Sequence, residues 1–137
     1  MEVLHNGYLY SDDKAKIDRQ AVLDFLAQSY WAGQRDTQRI LKSIETSHSY
    51  GVYHGPVQIG FARVITDEAT FYYLCDVFVL NKYRGQGIGK KLIQLITNSE
   101  EYAGMTGALA TRDAHGLYEQ YGFAKEPKLY MRKVPVQ

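Results

Sequence analysis

The sequence predicts an α+β domain in which a mixed, mostly antiparallel sheet of six to seven strands carries about four helices on its faces. Two observations lead there. Apolar residues recur at helical spacing before residue 46 and again after residue 87, whereas the stretch between them runs apolar at strand length and is broken by short turns. Short turns imply an antiparallel meander, and the later strands, joined through helices, make the sheet mixed. At 137 residues the chain is expected to be one domain, 1–137, large enough to bury its own core without a disulfide or metal.

The elements follow in order. Val3 to Tyr10 mixes β-formers with an Asn6-Gly7 pair and reads as an edge strand, turned at Gly7 if it is two. Asp18 caps a short helix with Val22, Phe25 and Leu26 on its apolar face, and Asp36 caps a second with Ile40, Leu41 and Ile44. Between them lies an aromatic and polar connector, Ser29 to Arg35, holding the only Trp. Tyr50–Tyr53 and Val57–Ile65 read as strands around a His54-Gly55-Pro56 turn. Thr70 to Leu80 is then a long, nearly continuous apolar strand, as a central one covered on both faces would be. Gly87 to Asn98 is helical, with Ile88, Leu92, Leu95 and Ile96 on one face. Gly107–Thr111 is a short strand, Asp113–Tyr121 a short helix and Leu129–Val134 a last strand.

Composition removes several function classes. Sixteen Lys and Arg against fifteen Asp and Glu leave a net charge of +1, so no basic field points to nucleic acid. No apolar run reaches the roughly 20 residues of a membrane helix, and the first residues lack a basic start and apolar stretch. The expectation is a soluble, cytoplasmic protein with no nucleic-acid or membrane partner. The single Cys75 has no internal disulfide partner, has no activating base near it in sequence, and reads as a small buried hydrophobe. His48 and His54 have no Cys or carboxylate at ligand spacing, so no metal site is expected. Twelve Tyr are more than packing needs, which leaves some to line a site.

The most informative segment joins the long strand to a helix through Arg84-Gly85-Gln86-Gly87-Ile88-Gly89-Lys90. Alternating glycines let backbone amides converge on a ligand, and the new helix adds free N–H groups and its positive dipole end. Lys82, Arg84, Lys90 and Lys91 reinforce an anion site. A Walker A loop would need Gly where Arg84 stands and Ser or Thr where Lys91 stands. A dinucleotide fingerprint would need Gly where Lys90 stands. A different phosphate-bearing cofactor is implied.

Arg84 to Gly89 resembles the R/Q-x-x-G-x-G/A acyl-CoA loop of the GNAT N-acetyltransferases. A second signature lies downstream: Ala114-His115-Gly116-Leu117-Tyr118-Glu119-Gln120-Tyr121-Gly122-Phe123 is similar to the family's A-x-x-L-Y-x-x-x-G-F helix and turn. The order of elements fits from Val3 to Val134. One departure is Thr111, which stands where the family often has Asn seven residues before the motif Tyr.

The resemblance implies acetyl transfer from acetyl-CoA to a primary amine by direct attack in a ternary complex, without an acyl-enzyme. It implies that the backbone of Arg84, Gly85, Gln86, Gly87, Ile88, Gly89 and Lys90 holds the pyrophosphate. Val77, Phe78 and Val79 would pair with the pantetheine as another strand would, in a cleft where that strand splays from the parallel Gly107–Thr111. Thr111 and Tyr118 complete the cofactor side. Amides near Val77 would face the thioester oxygen as it gains charge. Tyr118 stands at the family's general-acid position, and a phenol is protonated at neutral pH and can donate; otherwise it is a packing residue. The attacking amine must be neutral. Asp76, sharing a face by alternation with Tyr72, Leu74 and Phe78 unless the bulge that the resemblance implies alters it, is either the base or the partner of Arg63 in a structural ion pair. His115 is the second candidate, or a solvated helix residue. Tyr30, Trp31, Arg35, Arg63, Tyr73 and Asp76 are candidate acceptor-site residues, suited to a carboxylate-bearing small molecule. A protein N-terminus or lysine is the other substrate class. A catalytically silent acyl-CoA sensor and an interaction domain with a vestigial loop are the competing functions. A homodimer is possible in such a family.

Overall fold

The structure of the protein, a computed structural model, describes residues 1–135. Six strands form one sheet in sequential order: β1 (Glu2–His5), β2 (Tyr8–Ser11), β3 (His48–His54), β4 (Val57–Thr66), β5 (Phe71–Val79) and β6 (Thr106–Leu109). Neighbours from β1 to β5 are antiparallel, and β5 and β6 are parallel. Among the described residues four α-helices complete the fold: α1 (Arg19–Ala27), α2 (Thr37–Thr46), α3 (Ile88–Thr97) and α4 (His115–Glu119).

Local sequence accounts for most of these boundaries. Asn6 and Gly7 both take positive φ, 51 and 84, which lets a two-residue turn fold the first segment into the β1–β2 hairpin. The Asp18 carboxylate accepts from Ala21 N–H at 3.1 Å and the Asp36 carboxylate from Arg39 N–H at 3.2 Å, satisfying amides that the first helical turn leaves free. The sheet is covered on both faces. Val52, Val64 and Leu74 pack with Ile88, Leu92 and Ile96 of α3 on one side. Phe61 and Phe78 pack with Val22, Phe25 and Leu26 of α1 and Ile40 and Ile44 of α2 on the other. Phe25 and Phe78 stack with centroids 4.8 Å apart.

The expected last strand over Leu129–Val134 is not formed; that segment carries no regular structure, and Met131 is 94% exposed. Strand propensity expresses itself only against a paired, half-buried surface, and β6 offers four residues of edge. No helix among the described residues is long and apolar enough to cross a membrane.

Candidate active site

The parallel pair β5–β6 opens like a wedge. Pairing runs from Phe71 opposite Thr106 to Leu74 opposite Leu109, where β6 ends, while β5 continues to Val79. The backbone of residues 75–79 therefore has no strand partner on that side among the described residues. A cleft of about 1290 Å³ occupies the opening, bounded by β5, the glycine loop, the chain after β6, α4 and the α1–α2 connector.

A bulge in β5 shapes the floor. Cys75 stands opposite Arg63 and Phe78 opposite Phe61, so two steps along β4 match three along β5. Asp76 absorbs the extra residue with φ 52, a left-handed conformation that Asp tolerates better than most residues. The bulge resets which side each residue faces. Tyr72 and Leu74 lie with α3, whereas Phe78 lies with α1 and α2. The alternation expected from sequence, placing Asp76 on one face with Tyr72, Leu74 and Phe78, is corrected: Asp76 shares a side with Phe78 only.

Turned that way, Asp76 is 4% exposed, with both carboxylate oxygens hydrogen-bonded. Its Oδ1 accepts from Trp31 Nε1–H at 2.9 Å, and its Oδ2 accepts from Arg35 Nη1–H at 2.8 Å and Arg63 Nε–H at 3.0 Å. Arg63 also donates to Ser47 Oγ at 2.9 Å. The Arg63–Asp76 ion pair raised as one alternative from sequence is present within the sheet, and the Trp31 and Arg35 bonds tie the connector to it. Cys75, next in chain, lines the same cleft; burial pushes its thiol up to about 11, so it is held protonated at neutral pH.

The glycine loop forms one end of the cleft. Gly85 and Gly87 take φ 82 and 80, and a Cβ at either would meet no atom within 4 Å, so open space stands where side chains would be. Gly87 caps α3 without any side-chain hydrogen bond. The first intrahelical bond is Lys91 N–H to Gly87 O at 3.0 Å, which leaves the amides of Ile88, Gly89 and Lys90 without helical partners. Amides, a helix dipole and free space fit a pyrophosphate. Arg84 turns back along the strand, donating from Nε to Val79 O at 3.0 Å, and Lys90 lines the opening. Gln86 faces away, its side-chain oxygen accepting from the Tyr8 hydroxyl at 2.6 Å.

Facing this floor, α4 presents Tyr118 to the cleft. Burial pushes its phenol up to about 12, with Tyr30 and Asp113 adding to the same direction. Thr111 also lines the cleft, and its hydroxyl accepts from Ala114 N–H at 3.1 Å. His115 lies outside the cleft lining; three residues back along a helix is a turn of about 60° away from the direction of Tyr118.

Two cleft residues carried no signal in the sequence. Arg112 places its guanidinium over the Tyr30 ring, 3.7 Å from the centroid, and Arg132 reaches the cleft from the irregular C-terminal segment. Only the fold brings residues 30, 73, 112 and 132 to one opening.

Comparison with known proteins agrees with this geometry. The acetyltransferase (GNAT) domain family matches residues 45–125, which span β3 to α4 and hold both the bulge and the glycine loop. The crystal structure of an inferred GNAT-family acetyltransferase from Xanthomonas campestris is 37% identical, with a TM-score of 0.87 over 93% of this chain and 94% of that one. An inferred acetyltransferase of Gibberella zeae, FG08082, is 29% identical over 112 residues, 67% of this chain. An uncharacterised ycf52-like N-acetyltransferase of Prochlorococcus marinus is 30% identical over 113 residues, 77% of this chain. The match spans 63% of the length of each of these two curated relatives. The family match covers more than half of the chain, including the bulge and the glycine loop, and this chain belongs to the GNAT acetyltransferase family.

Proposed function

We propose that this protein moves the acetyl group of acetyl-CoA to a primary amine on a small molecule, by direct attack and without an acyl-enzyme. One observation carries the reading: the open space at Gly85 and Gly87, faced by unpartnered amides at the start of α3. Acetyl-CoA would supply the acetyl group as an activated thioester.

The chain's own residues divide the work. The amides from Gly85 to Lys90 bind the pyrophosphate, and Arg84 and Lys90 add charge. The unpaired edge of Val77, Phe78 and Val79 orients the pantetheine arm, as an added strand would be oriented. Amides at the bulge face the carbonyl oxygen as it gains charge. Tyr118, held neutral by burial, donates its proton to the departing sulfur. Cys75, held as a thiol, takes no acetyl group.

Asp76 is assigned a positioning role in this reading. A carboxylate has about four acceptor sites, and Trp31, Arg35 and Arg63 occupy three of those on Asp76. It fixes the connector that walls the acceptor site, and the acceptor amine loses its proton to water in the open cleft. The acceptor is a free small molecule, and a net charge of +1 provides no protein-wide field for nucleic acid or an anionic membrane.

Calorimetric titration with CoA, paired with thiol release from acetyl-CoA across a panel of amines, tests the reading. Acceptor-dependent release supports it. CoA binding with no release from any acceptor indicates a sensor, and no CoA binding refutes the assignment of the glycine loop.

A further inference from the structure

We propose that Arg112 and Arg132 form an anion subsite at the acceptor end of the cleft, selecting primary amines that also carry a carboxylate or phosphate group. This rests on the acetyl-transfer reading and names the class of acceptor.

Arg35 and Arg63 are the natural anchors for such a group, but Arg63 is committed and Arg35 is held on one side by Asp76. Each donates to Asp76 Oδ2, and Arg63 is held further by Ser47. The available charge is elsewhere. Among the described residues, neither Arg112 nor Arg132 has a carboxylate within ion-pair distance. Asp113 also lines the cleft and forms no ion pair with either.

Position separates this pair from the cofactor end. Arg112 is tied to the α1–α2 connector: its guanidinium covers the Tyr30 ring at 3.7 Å and its backbone N–H points to the Tyr30 hydroxyl at 3.4 Å. Tyr30 in turn packs edge-on against Trp31, whose indole is bonded to Asp76. Arg132 lies close enough to Tyr73 to oppose the upward push that burial gives that phenol. Tyr73 pairs with Ile65, two residues before the bulge, on the same face as Arg63. Both guanidiniums therefore belong to the α1–α2 side, while the glycine loop has Arg84 and Lys90 of its own.

Stacking suits Arg112 to this task. A guanidinium lying over an aromatic ring keeps its in-plane N–H groups free, and that planar fork matches the oxygens of a carboxylate or phosphate. The same positive charge serves the chemistry, because cations near a bound ammonium favour its neutral, nucleophilic form.

The test uses two matched pairs of acceptors, γ-aminobutyrate against n-butylamine and phosphoethanolamine against ethanolamine. Thiol release from acetyl-CoA is followed with the wild-type protein and with Arg112→Gln, Arg132→Gln and the double variant. The anionic member of at least one pair is expected to have a kcat/KM about tenfold or more above its neutral partner. The pair that shows it tells carboxylate from phosphate. In the double variant the ratio should fall below about threefold, mainly through KM, with CoA affinity by calorimetry unchanged. Arg112→Lys should restore part of the preference, since charge returns without the planar fork. Equal rates within both pairs, or a ratio unchanged in the double variant, overturn the subsite and leave acetyl transfer standing. CoA binding without turnover of any of the four amines also overturns it. Failure to bind CoA overturns the function proposed above, and the subsite with it.

Discussion

Replacing Asp76 with Ala should cost this protein a large part of its stability. The carboxylate neutralises a guanidinium that has nowhere else to turn: the Arg63 side chain is 10% exposed and that of Asp76 1%. Breaking a buried ion pair by removing one partner costs about 3–5 kcal/mol, because the remaining charge stays desolvated. Arg35, with its side chain 29% exposed, can turn toward water and adds little. Backbone conformation adds to the loss, since Ala accepts the φ of 52 less readily than Asp. For a chain of this size total stability is on the order of 7–20 kcal/mol. A urea midpoint lower by about 2 M is expected for a slope near 2 kcal/mol/M. Asp76→Asn separates charge from conformation, because Asn tolerates positive φ. It should still lose about 2 kcal/mol or more. Adding Arg63→Met to Asp76→Asn should return part of the loss, since the orphaned charge is then gone. A cost below about 1 kcal/mol for Asp76→Ala would refute the reasoning, because a buried, triply bonded carboxylate cannot be removed so cheaply.

Other outcomes follow from the same geometry. Tyr118→Phe should keep CoA affinity while kcat falls about 10²-fold or more, the usual weight of a positioned acid. With the phenol pushed up to about 12, the wild-type rate should show no descending limb between about pH 8 and 10; a limb there that vanishes in Tyr118→Phe would contradict the assigned burial. Stability should hold through neutrality and fall as pH rises from about 10 toward 12. Burial raises Tyr50 and Tyr53 above the ordinary 10 and lifts Tyr102 and Tyr118 to about 12, so the unfolded chain releases those protons first. Thermal unfolding across that range checks the sign. Gly87→Ala places a Cβ in the open space at the start of α3 with φ 80, and should weaken CoA binding about tenfold or more by calorimetry. Unchanged affinity would move the pyrophosphate away from this loop.

Much of the fold could be read one segment at a time. Asp18 and Asp36 announce their helices because a capping carboxylate acts on amides three residues away. The Asn6-Gly7 turn is equally local, and it settles the hairpin that sequence left as one strand or two. The two family signatures marked the glycine loop and Tyr118 for the same reason, since both are short contiguous stretches with a chemistry of their own. Leu129–Val134 shows the limit: its composition suits a strand, yet a strand exists only against a partner, and none pairs with it among the described residues.

Asp76 and Arg112 mark where local reading stops. Sequence alone determined that a carboxylate sits in an apolar strand and must be compensated, because burying an unpaired charge is prohibitive whatever the fold. It could not say on which side of the sheet that carboxylate emerges. One extra residue in β5, accommodated through positive φ at Asp76, reverses the alternation and delivers the side chain to Trp31, Arg35 and Arg63 instead of to α3. Arg112 and Arg132 have no pattern of their own, and they share a cleft with Tyr30 and Tyr73 only because β5 and β6 part after Leu74 and Leu109. Periodicity, caps and glycine loops are written in neighbouring residues and survive in the sequence. Which charges meet, and which remain free for a ligand, depends on a bulge and a splay that emerge only when distant strands pair.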